Sequence, residues 1–495
     1  MKRRKQYAVM LAALAVLAAA IAVWQTGNRL VAAEPSPELI RVSEGLDEIS
    51  ITAKLDEKGR SLKVVQTLQL VNRTGQNQDA AVLRTWANAF QSVETSPCAA
   101  EEDWYSRCYP NGFSSGALVM AHAEANGQPV LYRYTDDAKT VLKVPVPGGW
   151  QDGATVEVTL TYTLQLPQMA YRFGVWEDIW ALGNAFAIPA VWENGAFRTD
   201  AYAAVGDPFV SDCANYTAVI TVPQGWCCAG SAGPTVETSN GESVYAFRAL
   251  AVRDFAMVIS SDFQVAQATH NGVLITACAK EASQAKTLLK QGRKALQTYS
   301  EMYGDYPYPA YTLAQVSFPH GGMEYPGLSM ISSELLSRGG RELEYAVAHE
   351  TAHQWWYAVV GSDGWNQPWQ DEAMAEFSLL AYAEKHYGGS ERIDLEQSRM
   401  ESALRVTVPQ GVTPGAPLDY FPSMSLYKLV VYDRGAAALC ALDRTVALDT
   451  FLRDYYRRYA FSRATREDFE QQLFASTGED LTPLLRDYLD TAILN

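Results

Sequence analysis

Glu344-Tyr-Ala-Val-Ala-His349-Glu350-Thr-Ala-His353-Gln-Trp-Trp356 sets apolar residues ahead of a His-Glu-x-x-His core and tryptophans behind it. On a helix, positions i and i+4 share a face one turn apart, so His349 and His353 can present their imidazoles to one metal ion. Glu350 projects from a neighbouring position, near enough to hold a metal-bound water without being a ligand itself. Two imidazoles plus a general base form the arrangement that zinc-dependent hydrolysis uses. Only six histidines occur in the 495 residues, so the pairing does not follow from abundance. The competing reading is a chance match on an ordinary amphipathic helix, and the flanking sequence decides between them.

Such a site needs a third protein ligand and an open position for water. Downstream, Trp369-Gln-Asp-Glu-Ala-Met-Ala-Glu-Phe377 opens a second helix. Glu372 is the natural third ligand, facing the first helix across the connecting loop. Asp371 and Glu376 compete for that role. Glu376, one turn after Glu372, can instead orient a ligand imidazole from behind. A solvated helix face is the plain alternative for all three.

Working outward, the hydrophobic period changes near Glu281 from two to 3.6. Ala282 to Tyr303 predicts a helix, stopped by Gly304-Asp-Tyr-Pro-Tyr-Pro309. Strand-like pieces follow at Thr312 to Phe318 and Leu328 to Ser332. From Arg341 onward nearly everything reads as helical, interrupted chiefly by the Pro/Gly-rich loop Val408 to Pro422. Before Glu281 the style is β. Ile49 to Leu55, Glu57-Lys-Gly-Arg60 and Leu62 to Leu70 read as a hairpin, and Val156 to Leu164, Tyr216 to Val222, Val244 to Arg248 and Phe255 to Ser260 continue it. The expected fold class is therefore α+β and multidomain, with a β-rich unit over 40–268 and a mainly helical catalytic unit over 269–495.

The length suits two or three domains. A formal net charge of -16 argues against nucleic acid as a partner. The N-terminus departs from that balance. Residues 1–6 are a basic tail, Tyr7 to Trp24 is an apolar run without charge, and 25–39 read as a linker. A basic start followed by about 18 apolar residues predicts a single-pass anchor with its basic end in the cytoplasm, or a secretory signal. Val31-Ala-Ala33 offers a small-residue cleavage site, and cleavage would leave a secreted protein. The anchor is the preferred reading, with the folded part outside the cytoplasm. Among the seven cysteines, Cys98 and Cys108 flank an acidic stretch that a disulfide would close, and the other five read as small buried hydrophobes.

Three ordered motifs then carry a resemblance. His349-Glu-x-x-His353 with Glu372 in Trp-x-x-Glu-x-x-Ala resembles the gluzincin signature of the aminopeptidase N family. Gly321-Gly322-Met323-Glu324-Tyr325 stands where that family has Gly-x-Met-Glu-Asn, and Tyr432-Asp433-Arg434-Gly435 matches its Tyr-Glu-Lys-Gly type motif. Gly206-Asp-Pro-Phe-Val-Ser-Asp-Cys-Ala-Asn-Tyr216 and Ala464-Thr-Arg-Glu-Asp-Phe469 are similar to bacterial members. The resemblance spans roughly residues 45 to 490.

It implies a saddle-like β domain before a thermolysin-like catalytic domain, and one Zn2+ per chain on His349, His353 and Glu372. It implies Glu350 as general base and then acid, and Tyr432 as hydrogen-bond donor to the oxyanion, with Tyr427 the rival. Glu324 would pair with the free α-amine of a peptide, and Gly321, Gly322, Met323 and Tyr325 would complete the substrate-binding loop. His320, beside that loop, is a further candidate for the pocket lining. The implied activity is hydrolysis of N-terminal residues.

Several positions depart from the family pattern. Tyr325 replaces the usual Asn, while Asp371 and Ala373 replace Asn and Gly. A second amine anchor would come from the β domain, for which Glu177 and Asp178 are candidates. The large C-terminal helical domain of long members has no counterpart, so a more open cleft is expected. That opening and Tyr325 leave a membrane-anchored endopeptidase as an alternative. A catalytically inactive peptide-binding sensor is the alternative from another class.

Overall fold

The computed structural model describes residues 31–99, 102–319 and 321–492. The basic tail, the apolar run of residues 7–24, part of the linker and His320 lie outside the described residues. Among the described residues, no helix is long and apolar enough to cross a membrane.

The first half is built on an eight-stranded sheet. The expected hairpin is there: Asp47–Asp56 pairs antiparallel with Ser61–Val71, with Ile49 opposite Leu68 and Leu55 opposite Leu62. Alternate residues of Asp47–Asp56 are buried, as a sheet with one wet face requires. Its other neighbour is Ala214–Pro223, joined in parallel. Local alternation cannot announce that pairing, since the two strands are far apart in sequence. Two four-stranded sheets and a two-stranded one complete this half. All seven cysteines are buried and unbridged, with the Cys98 and Cys108 side chains in contact.

The second half opens on a five-stranded sheet in the order Gln264–His270, Val273–Ala279, Ala310–Val316, Leu328–Ser332, Gly322–Met323. Strand Gln264–His270 pairs along its whole length with Val273–Ala279, from Gln264 opposite Ala279 to His270 opposite Val273. The boundary read at 268 therefore falls inside a strand, and the catalytic sheet begins at Gln264. Helix α1 (Ala282–Tyr303) has the predicted limits and is the crossover between the parallel strands Val273–Ala279 and Ala310–Val316. A Cβ on its Gly292 would lie 2.5 Å from Leu313 Cδ1, so glycine lets the helix sit close on the sheet. Helix α2 (Gly340–Ala352) carries the motif, and α3 (Trp369–Tyr387) follows it. Helix α3 is buried on most sides and runs through the core of the helical layer. The residues between α2 and α3 are turns and isolated bridges, the connecting loop across which Glu372 was expected to face the first helix.

Buried polar groups fasten the halves together. Arg253, 2 % exposed, donates to the carbonyls of Ser211, Tyr357, Val359 and Ser462. Tyr325 from the catalytic half donates its hydroxyl to Asn184 Oδ1 at 2.6 Å, and Asn184 Nδ2 donates to Asp254 Oδ2 at 2.9 Å. Gly183 makes room for this, because a Cβ there would stand 2.0 Å from the Tyr325 hydroxyl oxygen. Burial raises the Asp254 carboxyl from 3.8 to about 7, against hydrogen bonds from Phe255 N and Asn184.

The folded chain thus holds a proton on Asp254 that the unfolded chain releases near its ordinary pKa. Stability falls as pH rises from that value through about 7. Asp254→Asn removes this cost, on the order of a few kcal/mol. The variant's melting temperature should gain on wild type as pH rises from about 4 to about 7 and hold that gain above it, as followed by circular dichroism.

Candidate active site

The end of α2 and the first turns of α3 meet at the site. Leu343, Val347 and Ala348 bury one side of α2, which turns His349 and Glu350 towards α3 and the strand Gly322–Met323. Helix α2 ends at Ala352, and His353 is its C-cap, still with helical backbone angles. The i, i+4 relation is thereby kept. His349 Nε2 lies 3.1 Å from His353 Nε2. Glu372 Oε2 is 3.4 Å from the first and 3.3 Å from the second. Three donors each about 2.0–2.2 Å from a tetrahedral zinc stand roughly 3.3–3.5 Å apart. Glu372 Oε2 is buried without a hydrogen-bond partner among the described residues, aimed at the point the imidazoles share. The triad fits Zn2+.

Each imidazole is backed by a carboxylate. His353 Nδ1 is 2.5 Å from Asp371 Oδ1 and 3.1 Å from the Trp356 carbonyl. His349 Nδ1 is 3.3 Å from Glu376 Oε1. The competing carboxylates of the sequence reading thus sit behind the ligands, fixing ring orientation and basicity. Burial disfavours the charged form of His349, yet Glu372 and Glu376 prevail and raise it to about 9. Burial works against the Glu372 anion, but the two imidazoles hold its carboxyl down at about 2. Glu350 is pushed up to about 7 by burial, opposed by both histidines, and its Oε2 has no hydrogen-bond partner among the described residues.

Gly322 is what admits Glu350. A Cβ at Gly322 would lie 2.5 Å from Glu350 Cδ, whereas one at Gly321 would make ordinary contact with Leu335. Only the second glycine of the pair is sterically demanded. Tyr432 stacks on His349 with ring centroids 5.6 Å apart and donates its hydroxyl to Glu372 Oε1 at 2.5 Å. Tyr427 is 1 % exposed and meets Tyr432 edge-on from behind, so Tyr432 is the tyrosine at the metal ligands. The cleft over this centre has a volume of about 310 Å3, with Phe318, Met323, Tyr345, Leu379, Met424 and Lys428 in its walls.

The profile of the peptidase family M1 domain matches residues 288–488. That range holds the three donors, Glu350 and Tyr432. Residues 288–488 form a peptidase family M1 domain. The chain is 25% identical over 226 residues to aminopeptidase M1-B of Oryza sativa subsp. japonica, covering 41% of this chain and 25% of that protein. It is 27% identical over 237 residues to endoplasmic reticulum aminopeptidase 1 of Rattus norvegicus, covering 43% of this chain and 25% of that protein. The chain thus spans about a quarter of the length of these curated relatives. The crystal structure of the M1 zinc metallopeptidase from Deinococcus radiodurans superimposes with a TM-score of 0.65 at 18% identity, covering 91% of this chain and 95% of that one. A mutant of that protein bound to a Tyr-Ser-Ala substrate superimposes with a TM-score of 0.64. The two-domain M1 fold, β-rich half first, is the fold of this chain.

Within the M1 domain, Glu324 lies beside the metal ligands. Carboxylate oxygens of Glu324, Glu372 and Asp207 fall within 4.8 Å of one another. Asp207 comes from the β half and is paired with the buried Arg172. Its position follows from Gly206, whose φ of +68° and closeness to Leu418 and Tyr427 exclude a side chain. Asp207 is a β-half carboxylate beside the metal triad, a place for which Glu177 and Asp178 were the candidates. Those two occupy the exposed turn between Phe173–Trp176 and Ile179–Leu182, both with positive φ. The segment Gly206-Asp-Pro was visible as a family-like stretch, but nothing in it marked Asp207 as facing the metal. Tyr325, expected at the substrate, instead buries its side chain and bonds Asn184, because the chain after Glu324 turns into the domain junction.

Glu372→Ala should abolish stoichiometric zinc, whereas Glu376→Gln should retain it with about 10–100-fold weaker affinity. Metal content after dialysis and competition with a chromogenic chelator measure the two.

Proposed function

We propose that this chain is a zinc-dependent aminopeptidase that removes N-terminal residues from peptides outside the cytoplasm. The observation that carries the reading is the pair Glu324 and Asp207, two further carboxylates at one end of the metal triad. An α-ammonium group is the natural partner of such a pair, and it lies one residue from the bond to be cut. Burial pushes Glu324 well above the usual carboxylate range, so a cationic amine gains by restoring its charge.

Zinc held by His349, His353 and Glu372 supplies a Lewis acid that acidifies water and polarises the scissile carbonyl. Glu350 accepts the proton of the attacking water on its unpartnered oxygen and returns it to the leaving amine. Tyr432 turns its hydroxyl from Glu372 to the negative charge developing on the carbonyl oxygen. Arg172 holds Asp207 in place, so the ammonium meets a fixed carboxylate rather than a mobile one. Gly322 and Met323 form the last strand of the catalytic sheet, beside which an extended peptide can lie. The site outside the cytoplasm rests on the basic residues 1–6 and the apolar run 7–24, read as a single-pass anchor.

Amino-acid anilides and matched N-acetylated peptides, assayed with and without a zinc chelator, test the reading. Free-amine substrates should be cut and blocked ones should not. Cleavage of acetylated peptides at comparable rates would convert the assignment to an endopeptidase. Stoichiometric zinc without hydrolysis of any substrate would point to the inactive sensor. Glu350→Gln should lower kcat by about 10²–10⁴-fold at unchanged zinc content. Glu324→Gln should lower kcat/KM for free-amine substrates on the order of 10-fold or more, as expected for a lost charge-assisted contact.

A further inference from the structure

Glu376 does more than back His349. Its second oxygen forms an ion pair with Arg399 Nη1 at 2.8 Å. Arg399 in turn donates to Asp433 Oδ1 from Nη2 at 2.9 Å and from Nε at 3.1 Å. Asp433 is the covalent neighbour of Tyr432, which is bonded to Glu372 and stacked on His349. The contacts close a ring: His349 to Glu376, to Arg399, to Asp433, to Tyr432, to Glu372, with the metal position between Glu372 and His349.

The backbone at both ends of the Arg399 bridge is unusual. Arg399 lies in a π-helical stretch, Glu396–Glu401, and Asp433 in another, Lys428–Arg434. A π turn is wider than an α turn because its hydrogen bonds run from i to i+5. Consecutive side chains are therefore closer in direction, and Tyr432 and Asp433 both line the same cleft wall. Among the described residues, these two π-helical stretches are the ones that carry the cation and the anion of the bridge. The nearby cation Lys428 also feels Glu372, Glu376 and Glu350, and Arg399 opposes it.

We propose that Arg399 is a positioning residue that couples the zinc ligand His349, through Glu376, to the oxyanion donor Tyr432, through Asp433. The roles of zinc and Tyr432 rest on the function proposed above; the bridge itself rests on the contacts. Arg suits the post because its planar fork can engage two carboxylates at once, and a lysine cannot reproduce that geometry. The two arms predict separable effects. The Glu376 arm supports the imidazole and therefore metal affinity. The Asp433 arm holds the tyrosine and therefore the turnover step.

The test uses the full-length chain with Arg399→Gln, Arg399→Lys, Asp433→Asn and the double variant R399Q/D433N. Zinc affinity is read by chelator competition, kcat and KM on an aminoacyl anilide at saturating zinc, and folding by circular dichroism. Arg399→Gln should weaken zinc by about 10-fold or more and lower kcat by about 10-fold or more, with KM within about two-fold. Asp433→Asn should lower kcat but leave zinc affinity within about two-fold, a split that a general loss of structure would not give. In the double variant the kcat loss should be no larger than in Arg399→Gln alone. Should Arg399→Gln fail to fold, Arg399→Lys carries the same test, with partial recovery of zinc affinity and none of kcat. Wild-type zinc affinity and kcat in a folded Arg399 variant, or additive losses in the double variant, would overturn the proposal. If the wild-type chain hydrolyses nothing, the functional reading fails, and the zinc arm alone decides whether Arg399 supports His349.

Discussion

Glu324, Glu350, Asp371, Glu372 and Glu376 are all buried within one small volume, around two imidazoles. Carboxylates gathered at such distances repel one another, and each has left water to get there. A divalent cation at the meeting point of His349, His353 and Glu372 resolves the conflict, because it takes one of these carboxylates, together with both imidazoles, as a ligand and gives the other four a positive centre to face. The remaining architecture serves that arrangement. Helices α2 and α3 bring in the ligands, Asp371 and Glu376 hold the rings, Gly322 makes room for Glu350, and Arg172 and Arg399 supply fixed positive charge at the perimeter.

What the sequence disclosed and what it concealed divide along a physical line. The metal set was legible because its members are tied by helical spacing: His349 and His353 at i, i+4, and Glu372 at the start of the next helix. The hairpin Asp47–Asp56 with Ser61–Val71 and helix α1 were legible for the same reason, since alternation and the 3.6 period are local signals. Asp207 was not, because its place depends on how the β half docks against the metal. Arg399 was not, because its partners lie on two other segments and its own backbone departs from the α period. Tyr325 misled because a motif position fixes where the backbone runs, not which way a bulky side chain turns when a buried asparagine is waiting for it. The strand Gln264–His270 lay across the expected boundary because a strand looks the same on either side of one.

The β half is therefore part of the site and not merely its neighbour. Through Arg253 it grips the carbonyls of the loop after α2, and through Asn184 it captures the residue that follows Glu324. Both grips lie within a short stretch of chain from groups that must be placed to within a fraction of an ångström. The distance from the acidic corner to the metal triad is thus set by rigid, dehydrated contacts between the halves, which resist the slackening that a hinge of solvated loops would permit.

The origin of Asp207 in the β half also bears on the order in which the molecule becomes competent. His349, His353 and Glu372 sit on two adjacent helices, so they can gather a metal ion as soon as those helices pack. The corner formed by Asp207 with Glu324 joins segments from opposite halves and exists only after docking. A nascent chain synthesised from its N-terminus has its β half ready first and waits for the helices to arrive. Metal capture and completion of that acidic corner are then separate events in the life of the chain, and the second waits on the docking of the halves.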